Sequence, residues 1–170
     1  MRGLIFKRRS VRTFIDKQIE KEKIEEIVRA GQLAPSAMGV FPWEIVVTQD
    51  REKMDRVAEV SPYTKFAKDA GAVFVVCGNL TCYKPGRETG FWVQDCSACI
   101  ENMLLQIVEE GLGATWCGIY PKEERCKDIR EIFAIPEHII PLGIIVCGYS
   151  NEENVAKDRF DPSKVHYEQY

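Results

Sequence analysis

Five consecutive residues near the amino terminus, Arg8-Arg9-Ser10-Val11-Arg12, bring three guanidinium groups and one hydroxyl close together. Arg presents a planar fork of N–H donors that stays protonated, which suits a phosphate dianion. If the segment is extended, its side chains alternate, so Arg8, Ser10 and Arg12 point one way and Arg9 the other. The pattern predicts a phosphate site with one cation directed elsewhere. The alternative is a solvated basic patch, the usual nature of short charge runs.

The compositions of two later segments indicate where they lie in the molecule. Residues 34–42 contain two prolines and a glycine, which break regular structure, yet the segment is small, apolar and uncharged. We expect this loop to lie against another part of the molecule or a ligand. From Ser150 onward the chain is polar and carries a second cationic pair, Lys157 and Arg159. This stretch, about 150–170, is predicted to be a carboxyl-terminal arm.

The sequence contains no dinucleotide-binding GxGxxG fingerprint, no P-loop and no HExxH motif. A zinc set can be drawn from Cys77, Cys82, Cys96 and Cys99, and Cys96 with Cys99 also forms a CxxC pair. That pair lies on an apolar helical stripe, where Cys behaves as a small hydrophobe, and it lacks the βαβ context of a redox motif. With no evident nucleophile, base or metal, the pattern favours an enzyme whose cofactor carries the chemistry.

Composition narrows the function further. The 170 residues are enough for one domain, 1–170, with a full core. A net charge of −3 and a pI of about 5.6 argue against a nucleic-acid partner. No apolar run reaches the ~20 residues of a membrane helix, and we expect no signal peptide. Seven Cys, an odd number, sit mostly in apolar runs, which favours reduced thiols and a cytoplasmic location.

Hydrophobic periodicity predicts the elements that position these residues. Helices are predicted at 20–33, 50–60 with Asp50 as N-cap, 91–110 and 123–133, with short helical pieces at 1–7 and 63–68. Strands are predicted at 43–48, 72–77, 114–119 and 139–149, and a mobile loop at 79–90. Pro141 indicates an edge strand or the start of a strand. The helix at 91–110 is apolar around so much of its circumference that it should be buried on more than one side. Either a second subunit or the chain's own core would cover it.

Five segments, in order, resemble motifs of the nitroreductase family of flavin enzymes. They are Arg8-Arg9-Ser10-Val11-Arg12-Thr13-Phe14, residues 34–43, residues 94–105, residues 111–116 with Gly118, and Lys157-Asp158-Arg159-Phe160 with Val165-His166-Tyr167. The resemblance implies an α+β sandwich, with a central, mainly antiparallel sheet flanked by helices. It also implies an intertwined homodimer with flavin mononucleotide (FMN) at the subunit interface.

The resemblance further implies a role for each matching residue. Arg8, Ser10 and Arg12 would hold the phosphate and ribityl region, completed by Lys157 and Arg159, and Arg9 would reach the pyrimidine edge of the ring. From the partner subunit, the isoalloxazine would be contacted by Pro35, Ser36, Ala37 and Met38. The other side of the ring would be approached by Trp116, Cys117, Gly118 and Ile119, with the backbone N–H of Gly118 or Ile119 near N5.

The implied activity is an FMN-dependent oxidoreductase that passes electrons from NAD(P)H to nitroaromatic, quinone or similar acceptors by a ping-pong mechanism, with no catalytic side chain. Two departures support an alternative, a flavin-binding or regulatory module without turnover. The loop has Met38-Gly39-Val40 where family members often carry a polar side chain, and the chain is short for the family. Cys99 and Cys117 are interpreted as packing residues.

Overall fold

The computed structural model describes residues 3–84, 90–152 and 157–170. In this part of the chain lie four α-helices and four strands. The helices are α1 (Lys21–Gln32), α2 (Arg51–Glu59), α3 (Trp92–Glu109) and α4 (Glu123–Phe133). The strands are β1 (Trp43–Thr48), β2 (Ala72–Asn79), β3 (Gly113–Gly118) and β4 (Ile139–Gly148). Each predicted helix and strand is therefore confirmed, with ends that shift by one or two residues.

The helix ends follow from local chemistry. The Asp50 carboxylate accepts the backbone N–H of Lys53 at 3.1 Å and caps α2 as predicted. Gly111, just beyond α3, adopts φ 72°, a left-handed conformation that glycine takes without strain. Gly31 permits α1 to pack closely on α3, because a Cβ there would lie 2.6 Å from Cγ of Met103.

The sheet has the order β1-β2-β4-β3, and every neighbouring pair is antiparallel. Alternate residues of β2 enter two cores: Phe74 and Val76 pack with α1 and α3, whereas Val73 and Val75 pack with α2 and α4. The sheet is thus covered on both faces by helices, which confirms the α+β prediction. The central helix α3 packs against α1 and the sheet, and eight of its residues are buried.

Pro141 does not mark an edge strand, because β4 lies between β2 and β3. The residue pairs with Cys77 of β2, beside a register shift between Val76 and Cys77. On the other side the β3 ladder begins only at Gly143, so no β3 partner needs the N–H that proline lacks. The edge interpretation is wrong, and the start-of-strand interpretation is confirmed.

The remaining segments are short. Turns of 3-10 helix occur at Leu4–Phe6, Ala37–Gly39, Lys65–Asp69, Leu80–Cys82 and Pro162–Lys164. Parts of three predicted segments lie outside the described residues: 1–2 of the first helical piece, 85–89 of the loop and 153–156 of the arm. The described arm, 157–170, is exposed along almost its whole length. None of the described helices is both long and apolar enough to cross a membrane.

Candidate functional site

A cavity of about 590 Å³ lies between the basic amino-terminal segment and the carboxyl-terminal arm. It is lined by Ile5, Phe6, Arg8, Arg9, Ser10, Arg12, Lys157, Asp158 and Arg159. The fold therefore brings together six of the site residues predicted from sequence, although about 150 positions separate the two groups. We call this space the cationic cavity, because its described lining has five positive side chains and one carboxylate.

The outer edge of β3 holds the amino-terminal segment in place. Ser10 forms a parallel bridge with Ala114, and the N–H of Val11 donates to the Ala114 carbonyl at 2.9 Å. The Val11 side chain is fully buried against Gly113, where a Cβ would lie 2.8 Å from its Cγ1. Because Val11 faces the core, its neighbours Ser10 and Arg12 are directed to the surface and the cavity.

The cations of this cavity differ in their partners. Arg8 Nε lies 3.5 Å from the Glu101 carboxylate, and Arg9 Nη2 donates to Glu152 at 2.7 Å. In the described ranges, Arg12, Lys157 and Arg159 have no carboxylate within ion-pair distance. Positive charge that no described carboxylate pairs with is available to an anionic ligand.

Arg9 departs from the alternation expected of an extended segment. It lines the same cavity as Arg8, Ser10 and Arg12 instead of facing away. Ser10 alone in this segment forms a β-bridge, so the regular period of a strand does not apply to its neighbours. The pairing with Glu152 directs Arg9 toward the start of the arm.

A second cavity, of about 500 Å³, lies beside the end of β3. It is lined by Arg12, Pro62, Tyr63, Phe66, Thr115, Trp116, Cys117, Gly118, Ile119, Tyr120, Pro121, Lys122 and Arg125. Arg12 borders both cavities, so the two spaces adjoin at this residue. We call this second space the strand-end cavity. It contains the four residues of 116–119 predicted to face a flavin ring.

The backbone distinguishes Gly118 from Ile119. The Ile119 N–H donates to the Leu142 carbonyl at 3.1 Å and is therefore already bonded. Along an antiparallel edge strand, alternate residues direct their N–H and C=O groups away from the neighbouring strand. Gly118 thus presents its N–H at the open edge of β3. A Cβ at Gly118 would meet no atom within 4 Å, so its backbone borders free space.

The loop containing Pro35, Ser36, Ala37 and Met38 lies outside both cavities. Met38 borders a separate space of about 300 Å³ with Gly39, Val40, Cys82, Tyr83 and Lys84. None of the four residues lines the two cavities that meet at Arg12. Met38 and Phe41 both have positive φ, and both side chains are 54% exposed. One chain therefore does not bring this loop to the cationic residues.

Asp95 of α3 fixes that loop, a role that the sequence analysis missed. Its buried carboxylate accepts the Ala37 N–H at 2.9 Å, the Ser36 hydroxyl at 3.2 Å and the Tyr83 hydroxyl at 3.3 Å. The signal was present in the helical period, because Asp95 falls on the apolar stripe beside Cys96 and Cys99. A carboxylate at a core position requires hydrogen-bond donors.

The cysteines do not form a reactive centre in the described part of the chain. Burial raises the pKa of the Cys77 and Cys99 thiols to about 12 and that of Cys117 to about 11. Cys96 Sγ lies 3.5 Å from the Cys77 carbonyl, and Cys117 Sγ lies 3.2 Å from the Tyr63 carbonyl. No group of His, Cys, Asp or Glu in the described ranges has the arrangement of a metal site. The buried thiols are packing residues.

Comparison with known proteins places this geometry in a family. The model of the Nitroreductase family matches residues 5–62 and 60–149. A candidate NADH dehydrogenase/NAD(P)H nitroreductase of Methanothermobacter thermautotrophicus is 41% identical over 163 residues, covering 96% of this chain and 84% of the relative. A crystal structure of the same description from Bacteroides thetaiotaomicron has a TM-score of 0.91 and 42% identity, covering 98% of this chain and 96% of that one.

An FMN-dependent nitroreductase from Clostridium difficile has a TM-score of 0.89 and 31% identity, with 99% of each chain covered. The matches extend across the cationic segment, the Asp95 helix and the end of β3. This chain belongs to the nitroreductase family.

Proposed function

We propose that the protein is an FMN-dependent oxidoreductase that passes electrons from NAD(P)H to nitroaromatic, quinone or similar acceptors. The observation that carries this proposal is the position of Arg12, where a cation-lined cavity meets a cavity beside an open strand edge. The two parts of FMN match the two cavities, because its phosphate is dianionic and its isoalloxazine ring is flat and largely apolar.

The residues present fit such a ligand. Guanidinium forks and the Ser10 hydroxyl are donors suited to a phosphate, and Arg12, Lys157 and Arg159 have no acidic partner in the described chain. Asp158 is the one carboxylate among the described residues of the lining. At the other end, the Gly118 N–H is directed to the open edge, and no atom lies within 4 Å of the position that a Cβ at Gly118 would take.

Homodimer formation would complete the site. The loop of Pro35, Ser36, Ala37 and Met38 lies outside the two cavities of its own chain, so a second copy would have to supply it. Half-exposed Met38 and Phe41 offer apolar surface of the kind that a subunit interface or a flat ring buries. Asp95 would hold this loop in shape for that contact.

Bound FMN would supply the redox chemistry, accepting a hydride from the nicotinamide and returning two electrons to the acceptor in a ping-pong sequence. The chain itself would bind and orient. Arg8, Ser10, Arg12, Lys157 and Arg159 would hold the phosphate and ribityl region, while Arg9 would place positive charge at the pyrimidine edge. The Gly118 N–H would donate to the ring at N5. No side-chain base is required.

The seven free thiols are consistent with a location in the reducing cytoplasm.

Spectroscopy of the purified protein tests the proposal. We expect a yellow protein with a flavin absorbance band, bleached by NADH or NADPH without oxygen and restored by a quinone over many turnovers. Colourless protein that also fails to bind added FMN would rule out the function. Bound flavin without turnover on any acceptor would instead indicate the binding or regulatory module.

A further inference from the structure

The lining of the strand-end cavity combines aromatic rings with cations. Tyr63, Phe66, Trp116 and Tyr120 contribute the rings, and Arg12, Lys122 and Arg125 contribute the charges. Among the described residues, no Asp or Glu belongs to this lining, although Glu123 and Glu124 lie in the adjacent first turn of α4. An unbalanced positive lining is unusual in a chain with net charge −3. Such a combination recognises flat molecules that carry negative charge.

Arg125 reaches the open edge of β3. Its Nη1 donates to the Gly118 carbonyl at 3.2 Å, and its guanidinium carbon lies 5.8 Å from the centre of the Tyr63 ring. Gly118 directs both its C=O and its N–H outward, so the guanidinium lies next to the N–H assigned to the cofactor. Neither Arg125 nor Lys122 has an acidic partner in the part of the chain that the structure describes.

We propose that Arg125, assisted by Lys122, selects aromatic acceptors that carry a carboxylate or a similar anionic substituent. The side chains of Tyr63, Phe66 and Tyr120 would contact the acceptor ring, and the guanidinium would pair with its anionic group. Arg12 and Trp116 are excluded from these roles because they are assigned to the cofactor. This inference rests on the proposed function, since it names the acceptors of the same site.

Phosphate groups of the nicotinamide donor offer the same chemistry as an acceptor carboxylate. The two sources differ in what Arg125 would control. If it binds the acceptor, its loss changes discrimination between charged and neutral acceptors and leaves the KM of NADH and NADPH unaffected. If it binds the donor, its loss changes the KM of NADH and NADPH and leaves the discrimination between charged and neutral acceptors unaffected. That result overturns the proposal.

Binding without turnover gives the first test. Benzoate and benzamide have nearly the same shape but differ in charge, and isothermal titration calorimetry on the FMN-loaded protein measures both affinities. We expect wild type to bind benzoate roughly three- to fivefold more tightly, as one partly screened charge pair allows. Arg125→Gln should reduce that ratio to below about twofold, and Arg125→Lys should retain part of it. Equal binding of the two probes to wild type would overturn the proposal.

Lys127→Gln is the matched control. Lys127 lies on the same helix, pairs with Glu131 at 3.9 Å and does not line the cavity. It should leave the benzoate preference unchanged. Thermal unfolding and FMN fluorescence of each variant show whether the fold and the cofactor site persist. If Lys127→Gln and Arg125→Gln reduce the preference equally, the effect is general electrostatics and the assignment to Arg125 fails.

Steady-state kinetics give the second test. The ratio of kcat/KM for 4-nitrobenzoate to that for 4-nitrobenzyl alcohol should fall in Arg125→Gln by the factor seen in binding, and high salt should reduce the wild-type ratio. An unchanged ratio, with both compounds still reduced, overturns the proposal and leaves the proposed function standing. If neither compound nor any quinone is reduced, the proposed function fails, while the benzoate titration still decides whether the anion site exists.

Discussion

The Asp95 carboxylate accepts the backbone N–H of Ala37 at 2.9 Å, so the central helix fixes the conformation of a loop 58 positions away. The same carboxylate holds the Ser36 hydroxyl, whose oxygen also accepts the Phe41 N–H at 2.8 Å. A segment with positive φ at Met38, Gly39 and Phe41 thereby keeps one shape. Positive φ at non-glycine residues persists where surrounding contacts determine it.

Removing that carboxylate should destabilise the protein. We expect Asp95→Ala to lower the free energy of unfolding by about 2–3 kcal/mol, because hydrogen bonds to a buried charged group are lost. Urea denaturation of the apoprotein measures the change. Asp55→Ala, an exposed position on α2, should change stability by no more than about 0.5 kcal/mol. Equal midpoints for Asp95→Ala and wild type would show that the loop does not depend on Asp95.

Gly118 and Gly143 should respond oppositely to an added methyl group. A Cβ at Gly118 meets nothing within 4 Å, whereas one at Gly143 would lie 2.3 Å from the Trp116 ring nitrogen. Gly118→Ala should therefore unfold at the wild-type temperature or slightly above, while its FMN affinity falls. Gly143→Ala should lower the melting temperature instead. Differential scanning fluorimetry and FMN titration separate the two effects, and unaltered FMN binding in Gly118→Ala would remove Gly118 from the site.

Arg12→Ala should release the cofactor. Arg12 borders both cavities, and charge-assisted hydrogen bonds to a phosphate are typically worth about 1.5–3 kcal/mol, which corresponds to a roughly 10- to 150-fold rise in Kd. Quenching of FMN fluorescence measures the change. Arg56→Ala on α2, which lines neither cavity, is the control. Retention of wild-type affinity by Arg12→Ala would place the phosphate away from this side chain.

Stability should depend on pH through Glu20. A hydrogen bond from the Tyr149 hydroxyl is the largest cause that lowers the pKa of Glu20 to about 2 from its ordinary 4.5. A lowered folded-state pKa stabilises the protein above about pH 4.5, and this stabilisation is lost as the pH falls from 4.5 to 2. Tyr149→Phe keeps the ring that Lys17 overlies at 3.8 Å but removes the hydroxyl. The urea midpoints of wild type and Tyr149→Phe should therefore differ at pH 6 and converge near pH 2. A difference in midpoint that does not change with pH would contradict this role of the Tyr149 hydroxyl.

Thiol labelling should find a single accessible cysteine. Of the seven free cysteines, Cys82 is exposed and the other six are buried. Thiols with raised pKa values stay protonated at neutral pH and react slowly. A colorimetric disulfide reagent should titrate one thiol per native chain, none in Cys82→Ser, and all seven after denaturation. Rapid labelling of a second thiol would support a redox role for the CxxC pair.

Local patterns were sufficient to predict the helices and strands. The apolar spacing of Ile24, Ile27 and Val28 located α1, and the β-branched run of β1 located a strand, because both signals lie within one element. The strand order and the central position of β4 depend on packing between distant segments, so Pro141 alone could not reveal them. The contact between Asp95 and Ala37 was hidden for the same reason.

The candidate site was predictable to a similar degree. The cations of both chain ends were identified by residue type, and the fold brings them to one cavity. The orientation of Arg9 was not predictable, because it follows from the ion pair with Glu152, 143 positions away. Residue types therefore indicated the ligand chemistry, while the geometry required the tertiary contacts.

The bridge between Ser10 and Ala114 sets the distance from the amino-terminal segment to Gly118. Gly118 lies four steps along β3 from Ala114, which at a rise of ~3.3 Å per step amounts to about 13 Å. In the proposed site, this strand would therefore space the phosphate-binding end from the backbone N–H at the other end. Inserting one residue between them would add ~3.3 Å and rotate the Gly118 N–H toward β4. The length of this short strand thus decides which ligand can reach both ends at once.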